Sequence, residues 1–244
     1  MHAELFAFSC SQEPPVPPLL GVNDQTSFSP WNGFSDTSPP NTTSRLLELS
    51  HTAMACERDV GGVDIVYLNA GIAIGVSDMT ALTDAEYHRI MRVNVDGVVW
   101  GTRAAIPAMQ RRGGGAIVAT SSLAGLIPFP MDPVYDLSKH AVVGFIRSVA
   151  PTLRAFGITA NTVNPGMTDT NILSDDAKAL FAANDFPLMP AAQIAEAVLT
   201  VVTTGRTGEC WVCQPGRDAE PYRFHDVPGP RTAGAQGRRP PVTP

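Results

Sequence analysis

Tyr135 and Lys139 stand four residues apart in Pro133-Val134-Tyr135-Asp136-Leu137-Ser138-Lys139-His140, with Ser121 and Ser122 fourteen and thirteen positions before the tyrosine. On a helix, residues i and i+4 share one face a turn apart, so a phenol and an ammonium at this spacing can enter one pocket. A cation there favours phenolate and draws the tyrosine pKa down from about 10 toward the working pH, where a general acid or base is most effective. A nearby serine hydroxyl adds a donor that can polarise a substrate oxygen. The chemistry expected of such a set is proton transfer at a carbinol or carbonyl oxygen.

The flanking segments supply elements that could position these groups. Ala116-Ile117-Val118-Ala119-Thr120 is a short apolar, β-branched run behind Gly113-Gly114-Gly115, and it predicts a buried strand with Ser121 and Ser122 at its carboxyl end. In open parallel sheets that end is where ligands bind. Val63 to Leu68, closed by Asn69-Ala70-Gly71, and Thr159 to Val163, closed by Asn164-Pro165-Gly166, predict two more strands that end in tight turns. Thr83-Asp84-Ala85-Glu86 is a capping box, opening a long helix in which Ile90, Val93, Val98 and Ala105 follow helical spacing. Asn94 falls inside that helix, where a lone asparagine most simply faces solvent. A second helix carries Tyr135 and Lys139 and runs to about Phe156, capped by Gly157, with Pro151 expected to kink it. Asp132 and Asp136 flank the tyrosine and most simply face solvent, the alternative being contact with substrate.

Together these residues resemble the short-chain dehydrogenase/reductase family. The matching pieces are Asn69-Ala70-Gly71, Val93-Asn94-Val95, the Ser-Ser-Leu-Ala-Gly of Ser121 to Gly125, Tyr135-x-x-x-Lys139, and Asn164-Pro165-Gly166-Met167-Thr168-Asp169-Thr170, in agreeing order and spacing over about residues 45 to 228. The resemblance implies an α/β, Rossmann-like fold with a mostly parallel sheet flanked by helices. It implies NAD(P)-dependent interconversion of a secondary alcohol and a ketone. Tyr135 would be the catalytic acid/base, Ser122 would bond the substrate oxygen, Lys139 would lower the tyrosine pKa and hold the nicotinamide ribose, and Asn94 would hold the water of a proton relay. The cofactor, NAD or NADP, would lie against Asn69, Ala70, Gly71, Tyr135, Lys139, Pro165, Gly166, Met167 and Thr168.

The family opens with a strand running into a Gly-x-x-x-Gly-x-Gly turn whose amides hold the cofactor pyrophosphate, and no such triplet occurs in this chain. The first βαβ half is therefore expected to be missing or replaced, which puts cofactor binding in question. Residues 1–42 are proline-rich and predicted to be disordered, residues 43–228 a partial catalytic domain, and residues 229–244 a disordered tail. Without the family's first strand, Val63 to Leu68 would become an apolar edge that invites pairing with other chains, including further copies of this one. The alternative from another class is a non-catalytic truncated remnant or interaction module unable to bind cofactor.

Composition bounds the rest. The 244 residues, 44% hydrophobic and 16% charged, can bury one good core. A net charge of −6 gives no basic footprint for nucleic acid or an anionic membrane, and no apolar run reaches the length of a membrane span. A cytoplasmic location is the default expectation. Cys210-Trp211-Val212-Cys213 has Cys-x-x-Cys spacing, but in a predicted strand its thiols point to opposite faces, so structural thiols and no metal are expected. Ser122 lacks a Gly-x-Ser-x-Gly elbow, and no histidine is placed for a hydrolase triad. The substrate partner would be a small hydrophobic alcohol or ketone, received by Leu123 to Pro133, with its apolar Leu126 to Pro130, and by Met167, Ile172 and Leu173 after Gly166; the alternative is that Leu126 to Pro130 only packs its own loop.

Overall fold

The apolar runs bounded by glycine and turn residues form the parallel centre of a six-stranded sheet. In the computed structural model, which describes residues 6–9 and 61–232, the strands are β1 (Phe6–Ser9), β2 (Ile65–Leu68), β3 (Gly115–Thr120), β4 (Ile158–Pro165), β7 (Cys210–Cys213) and β8 (Glu220–Pro221), hydrogen-bonded in the order β1-β2-β3-β4-β7-β8. The pairs from β2 to β7 are parallel, and those at the two edges are antiparallel. The order of the parallel strands brings the segments after β2, β3, β4 and β7 to one rim of the sheet.

Helices cover both faces because the strands bury both sides. Val66, Leu68, Ile117, Ala119, Ile158 and Ala160 alternate onto one face, under α2 (Gly97–Arg112) and α3 (Pro133–Leu153). Val118, Val163, Trp211 and Cys213 line the other, under Ile194, Ala197, Val198 and Val201 of α5 (Ala191–Thr203). A two-stranded ribbon of β5 (Thr168–Asp169) and β6 (Met189–Pro190) brackets α4 (Asp175–Ala183) beyond the sheet.

Local signals were followed closely at several termini. The capping box at Thr83 and Glu86 opens α1 (Asp84–Met91), with the Thr83 hydroxyl accepting from the Glu86 amide and the Glu86 carboxylate from the Thr83 amide. The helix does not continue regularly: residues Arg92–Asp96 form a π-turn before α2 resumes. Pro151 does not end α3, because it sits in the last turn; a 3₁₀ turn over Arg154–Phe156 follows and Gly157 closes it at φ 69°.

The bare apolar edge expected at β2 is not what the structure has. Phe6–Ser9 pairs with Leu68–Ile65, antiparallel, and covers that edge. Part of the first 42 residues is therefore a strand, formed before the proline-rich stretch begins. The remaining expectation of disorder there, and that for 233–244, lies outside the described residues.

Candidate active site

Three elements converge on Tyr135. Asp132 and Pro133 start α3: the Asp132 carboxylate accepts from the Tyr135 amide at 2.9 Å, and proline takes the first helical position, where its missing N–H costs nothing. This fixes Tyr135 on the first turn and Lys139 one turn later. The Lys139 ammonium lies 5.5 Å from the Tyr135 ring centroid and donates to the Thr120 carbonyl at 3.1 Å, at the end of β3. From the loop after β3, Ser122 comes near enough to the Tyr135 phenol for its hydroxyl to lower the phenol's pKa.

The serine pair divides its work. Ser122 caps a 3₁₀ turn at Leu123–Gly125, accepting from the Ala124 amide at 3.2 Å, and its hydroxyl lies 3.4 Å from the Pro165 carbonyl after β4. Ser121 is buried and donates to the Lys139 carbonyl at 3.0 Å, pinning the loop to α3. Gly125 permits this contact, since a Cβ there would stand 2.3 Å from the Ser121 hydroxyl and 2.7 Å from the Lys139 carbonyl oxygen.

Burial decides the protonation states. Tyr135 is raised above its ordinary 10.0, first by desolvation; the Ser122 hydrogen bond lowers it and the Asp132 charge raises it further. Lys139 is depressed to about 8 by burial. The expectation that the ammonium draws the tyrosine toward neutrality is thus reversed in the free protein. The cation is over the ring rather than at the hydroxyl, and the same burial that desolvates the phenol weakens the ammonium. Tyr135 is held as a neutral phenol, the form that can give a proton to a carbonyl oxygen.

Asn94 is fully buried in the π-turn, not solvated. Its Oδ1 accepts from the Ile72 amide at 2.8 Å, and its Nδ2 donates to the Ile72 carbonyl and the Ser138 hydroxyl, both at 2.9 Å. Both amide hydrogens are committed, so the side chain clamps the loop after β2. Asn69 in the same loop has its Oδ1 2.8 Å from the Thr120 hydroxyl, itself 2.8 Å from the Tyr67 phenol. Ala70 and Gly71 follow; a Cβ at Gly71 would stand 3.1 Å from the Lys139 ammonium, so only a bare backbone passes over it without crowding.

Across the rim, Gly166 donates to the Cys213 carbonyl at 2.9 Å, and a Cβ there would lie 2.7 Å from Gln214 Oε1. Thr168 turns its hydroxyl back to the Gly166 carbonyl at 3.0 Å, while the Met167 carbonyl accepts from Met189 and seats the β5/β6 ribbon. Pro165, Gly166, Met167 and Thr168 thus border the site at the end of β4.

Sequence reasoning missed both aspartates. Asp132 is 1% exposed, with Oδ2 accepting from the Ile74 and Gly75 amides at 2.8 and 2.7 Å. Asp136 accepts from the Phe129 amide at 2.8 Å and pairs with His140 at 3.2 Å. The Asp-Pro dipeptide opening a helix was the available signal for Asp132.

Beside Leu123 a cleft of about 400 Å³ is lined by Leu123, Leu126, Ile127, Val212, Pro221 and Tyr222, with Gln214, Glu220 and Arg223 at its polar margin. Of the apolar loop Leu126 to Pro130, Leu126 and Ile127 line it. Met167, Ile172 and Leu173 do not line it, and the wall from β7 to Arg223 was not foreseen. Cys210 and Cys213 are buried thiols, the latter pushed up to about 11 by burial. Among the described residues no group of histidine, cysteine and carboxylate side chains could hold a metal, and no helix is long and apolar enough to cross a membrane.

The nicotinamide–ribose end of a dinucleotide fits these residues: Lys139 spends one hydrogen bond on Thr120, and the bare backbone of Gly71 passes beside its ammonium. The pyrophosphate end has no equivalent phosphate turn among the described residues. Because β1 runs antiparallel to β2, the chain leaves it beside Ile65, at the rim opposite the site.

Comparison with known proteins bears on the family and the fold. Residues 42–180 match the family model for short chain dehydrogenase. The chain is 40% identical over 113 residues to 3beta-hydroxysteroid dehydrogenase 2 of Eggerthella lenta, covering 46% of this chain and 44% of that protein. It is 35% identical over 191 residues to 2-(R)-hydroxypropyl-CoM dehydrogenase of Xanthobacter autotrophicus, covering 72% and 75%. The crystal structure of a short-chain type dehydrogenase/reductase from Mycobacterium marinum superposes with a TM-score of 0.65 at 27% identity, over 72% of each chain. Against several relatives, the Eggerthella protein among them, the chain spans half of their length or less. With the family model covering more than half of the chain, and a relative 35% identical matched over 72% of it, the chain belongs to the short-chain dehydrogenase/reductase family of oxidoreductases.

Proposed function

We propose that the chain interconverts a secondary alcohol and a ketone with NAD or NADP, using Tyr135, Ser122 and Lys139. The observation that carries this is the Lys139 ammonium 5.5 Å from the Tyr135 ring centroid, one helical turn along α3, with Ser122 near enough to lower the phenol's pKa. A bound nicotinamide would supply or remove the hydride at the carbinol carbon. In ketone reduction the substrate oxygen accepts hydrogen bonds from Ser122 and Tyr135, and as charge develops on it the neutral phenol transfers its proton. Oxidation runs the same path in reverse, with Tyr135 taking the alcohol proton. Lys139 holds the ribose and stabilises the phenolate left by proton transfer. Asn69, Ala70 and Gly71 on one side, and Pro165, Gly166, Met167 and Thr168 on the other, would flank the nicotinamide. Asn94 acts through the loop it clamps. The apolar cleft beside Leu123 suits a hydrophobic alcohol or ketone.

The antiparallel β1 favours a second reading, a dehydrogenase scaffold that binds no cofactor. Fluorescence titration with NADH and NADPH separates the two. Saturation in the micromolar range, weakened in Lys139→Ala, is expected, together with oxidation of a hydrophobic secondary alcohol that Tyr135→Phe abolishes while still binding cofactor. No binding up to millimolar cofactor, or turnover untouched by Tyr135→Phe, would overturn the enzymatic reading.

A further inference from the structure

Asp132 does more than start a helix. Its carboxylate is 1% exposed, and among the described residues no salt bridge balances it, while three peptide amides do: Tyr135 on Oδ1, Ile74 and Gly75 on Oδ2. A cap needs only the first of these. The other two come from the loop after β2, fifty-eight and fifty-seven residues away in sequence. The same loop is gripped at Ile72 by Asn94, whose Nδ2 bonds Ser138, and the Ser138 hydroxyl donates to the Tyr135 carbonyl at 2.7 Å. Both grips end on the backbone of Tyr135, one on its N–H and one on its C=O. They close a ring of hydrogen bonds: Ile72, Asn94, Ser138, Tyr135, Asp132, Ile74.

We infer that Asp132 is a positioning residue that locks the loop following β2 to the peptide of Tyr135, so that the cofactor-facing loop and the acid/base move as one body. The catalytic consequence rests on the oxidoreductase reading; the lock itself does not. A buried carboxylate accepting from peptide amides holds them strongly, since each bond is charge-assisted and water cannot substitute at that depth. Nothing on the solvent side explains the two long-range bonds, and a neutral cap would have served the helix alone.

Two variants separate the lock from the cap. Asp132→Ser keeps one short acceptor for the Tyr135 amide and cannot reach Ile74 and Gly75; Asp132→Asn keeps the shape but opposes those two amides with an NH₂ and removes the charge. In Asp132→Ser, hydrogen exchange at the Ile74 and Gly75 amides is expected to accelerate roughly ten- to a hundredfold, while the Tyr135 amide changes little. In Asp132→Asn the pH midpoint assigned to the phenol moves down, because Asp132 is the negative charge facing Tyr135, opposite Lys139 on the same helix and the neutral Ser122 from the loop after β3. The kcat falls about tenfold or more in both, with KM for the alcohol little changed. Unchanged exchange at Ile74 and Gly75 in both variants would overturn the lock whether or not the protein turns over substrate. A lower melting temperature with wild-type kcat and pH midpoint would reduce Asp132 to a helix cap. Should Asp132→Ser not fold, exchange and pH profile in Asp132→Asn decide alone.

Discussion

Lys139 is an ammonium sealed in the protein, where among the described residues its hydrogen bond goes to the Thr120 carbonyl, and its chemistry is set by that burial. Its folded pKa of about 8 lies below the ordinary 10.5, so the folded chain gives up this proton before the unfolded chain does. Between these values the unfolded state binds more protons, and stability rises with pH. Below about pH 8 the full penalty applies, roughly 3 kcal/mol. Cys213, raised from 9.0 to about 11, and Tyr67, raised from 10.0 to about 12, act with the opposite sign, their contribution fading as pH climbs above 9.0 and 10.0. The lysine is therefore seen cleanly between about pH 8 and 9. Lys139→Met should be more stable than the parent at neutral pH by about 2 kcal/mol, once the orphaned Thr120 carbonyl is allowed for. Its melting temperature should be flat between about pH 8 and 9, where the parent's rises; a Lys139→Met protein that melts lower at neutral pH would show that the ammonium stabilises the fold. At this scale the sequence exposed Tyr135 and Lys139 through their helical spacing, and Ser122 through the family resemblance. It hid Asp132 and the direction of the tyrosine shift, since both depend on burial, which no local pattern encodes.

Secondary-structure elements were legible where their signals are local. β2, β3 and β4 are apolar runs between turn residues, and the capping box and Gly157 mark helix ends. The π-turn at Arg92–Asp96 was not legible: the weak helix formers Val93, Asn94, Val95 and Asp96 do not say which irregularity forms, and it is the tertiary demand of the Asn94 amide on Ile72 and Ser138 that accompanies the extra residue in the turn. The junction between the loop after β3 and α3 is the element-scale hinge of the site, because Ser122 leads that loop and Lys139 lies on that helix. Two glycines test it in opposite directions. Gly125→Ala puts a methyl against a backbone oxygen that cannot yield and should cost about 1–3 kcal/mol, with loss of turnover as Ser122 is pushed from Tyr135. Gly144→Ala, on the exposed face of α3 with nothing within 4 Å of the new methyl, should stabilise by about 0.5–1 kcal/mol and leave turnover alone. Paired thermal melts and initial rates measure both; equal effects from the two substitutions would mean that the loop and the helix are not tightly seated.

For the whole molecule, the decisive element is the strand at the edge. A parallel first strand would deliver its following turn to the same rim as Asn69, Ser122 and Gly166; an antiparallel one delivers it to the opposite rim, whatever its sequence. Covering β2 and feeding the site are thus separate tasks, and β1 performs only the first. The sequence could not reveal this, because β1 is four residues long and its partner lies more than fifty residues away, beyond any local period. What it did reveal is that an uncovered β2 would be a liability, an apolar strand with unpaired peptide groups. The double substitution Ala7→Pro and Phe8→Pro removes the amide hydrogens of two neighbouring residues, one of which must face β2. Light scattering and sedimentation across a concentration series should then show association growing with concentration in the variant and absent or weaker in the parent. The near-parallel centre and both cores are untouched by the change, so the circular dichroism of the variant should stay close to that of the parent. Identical association in the two proteins would mean that β1 does not guard the edge.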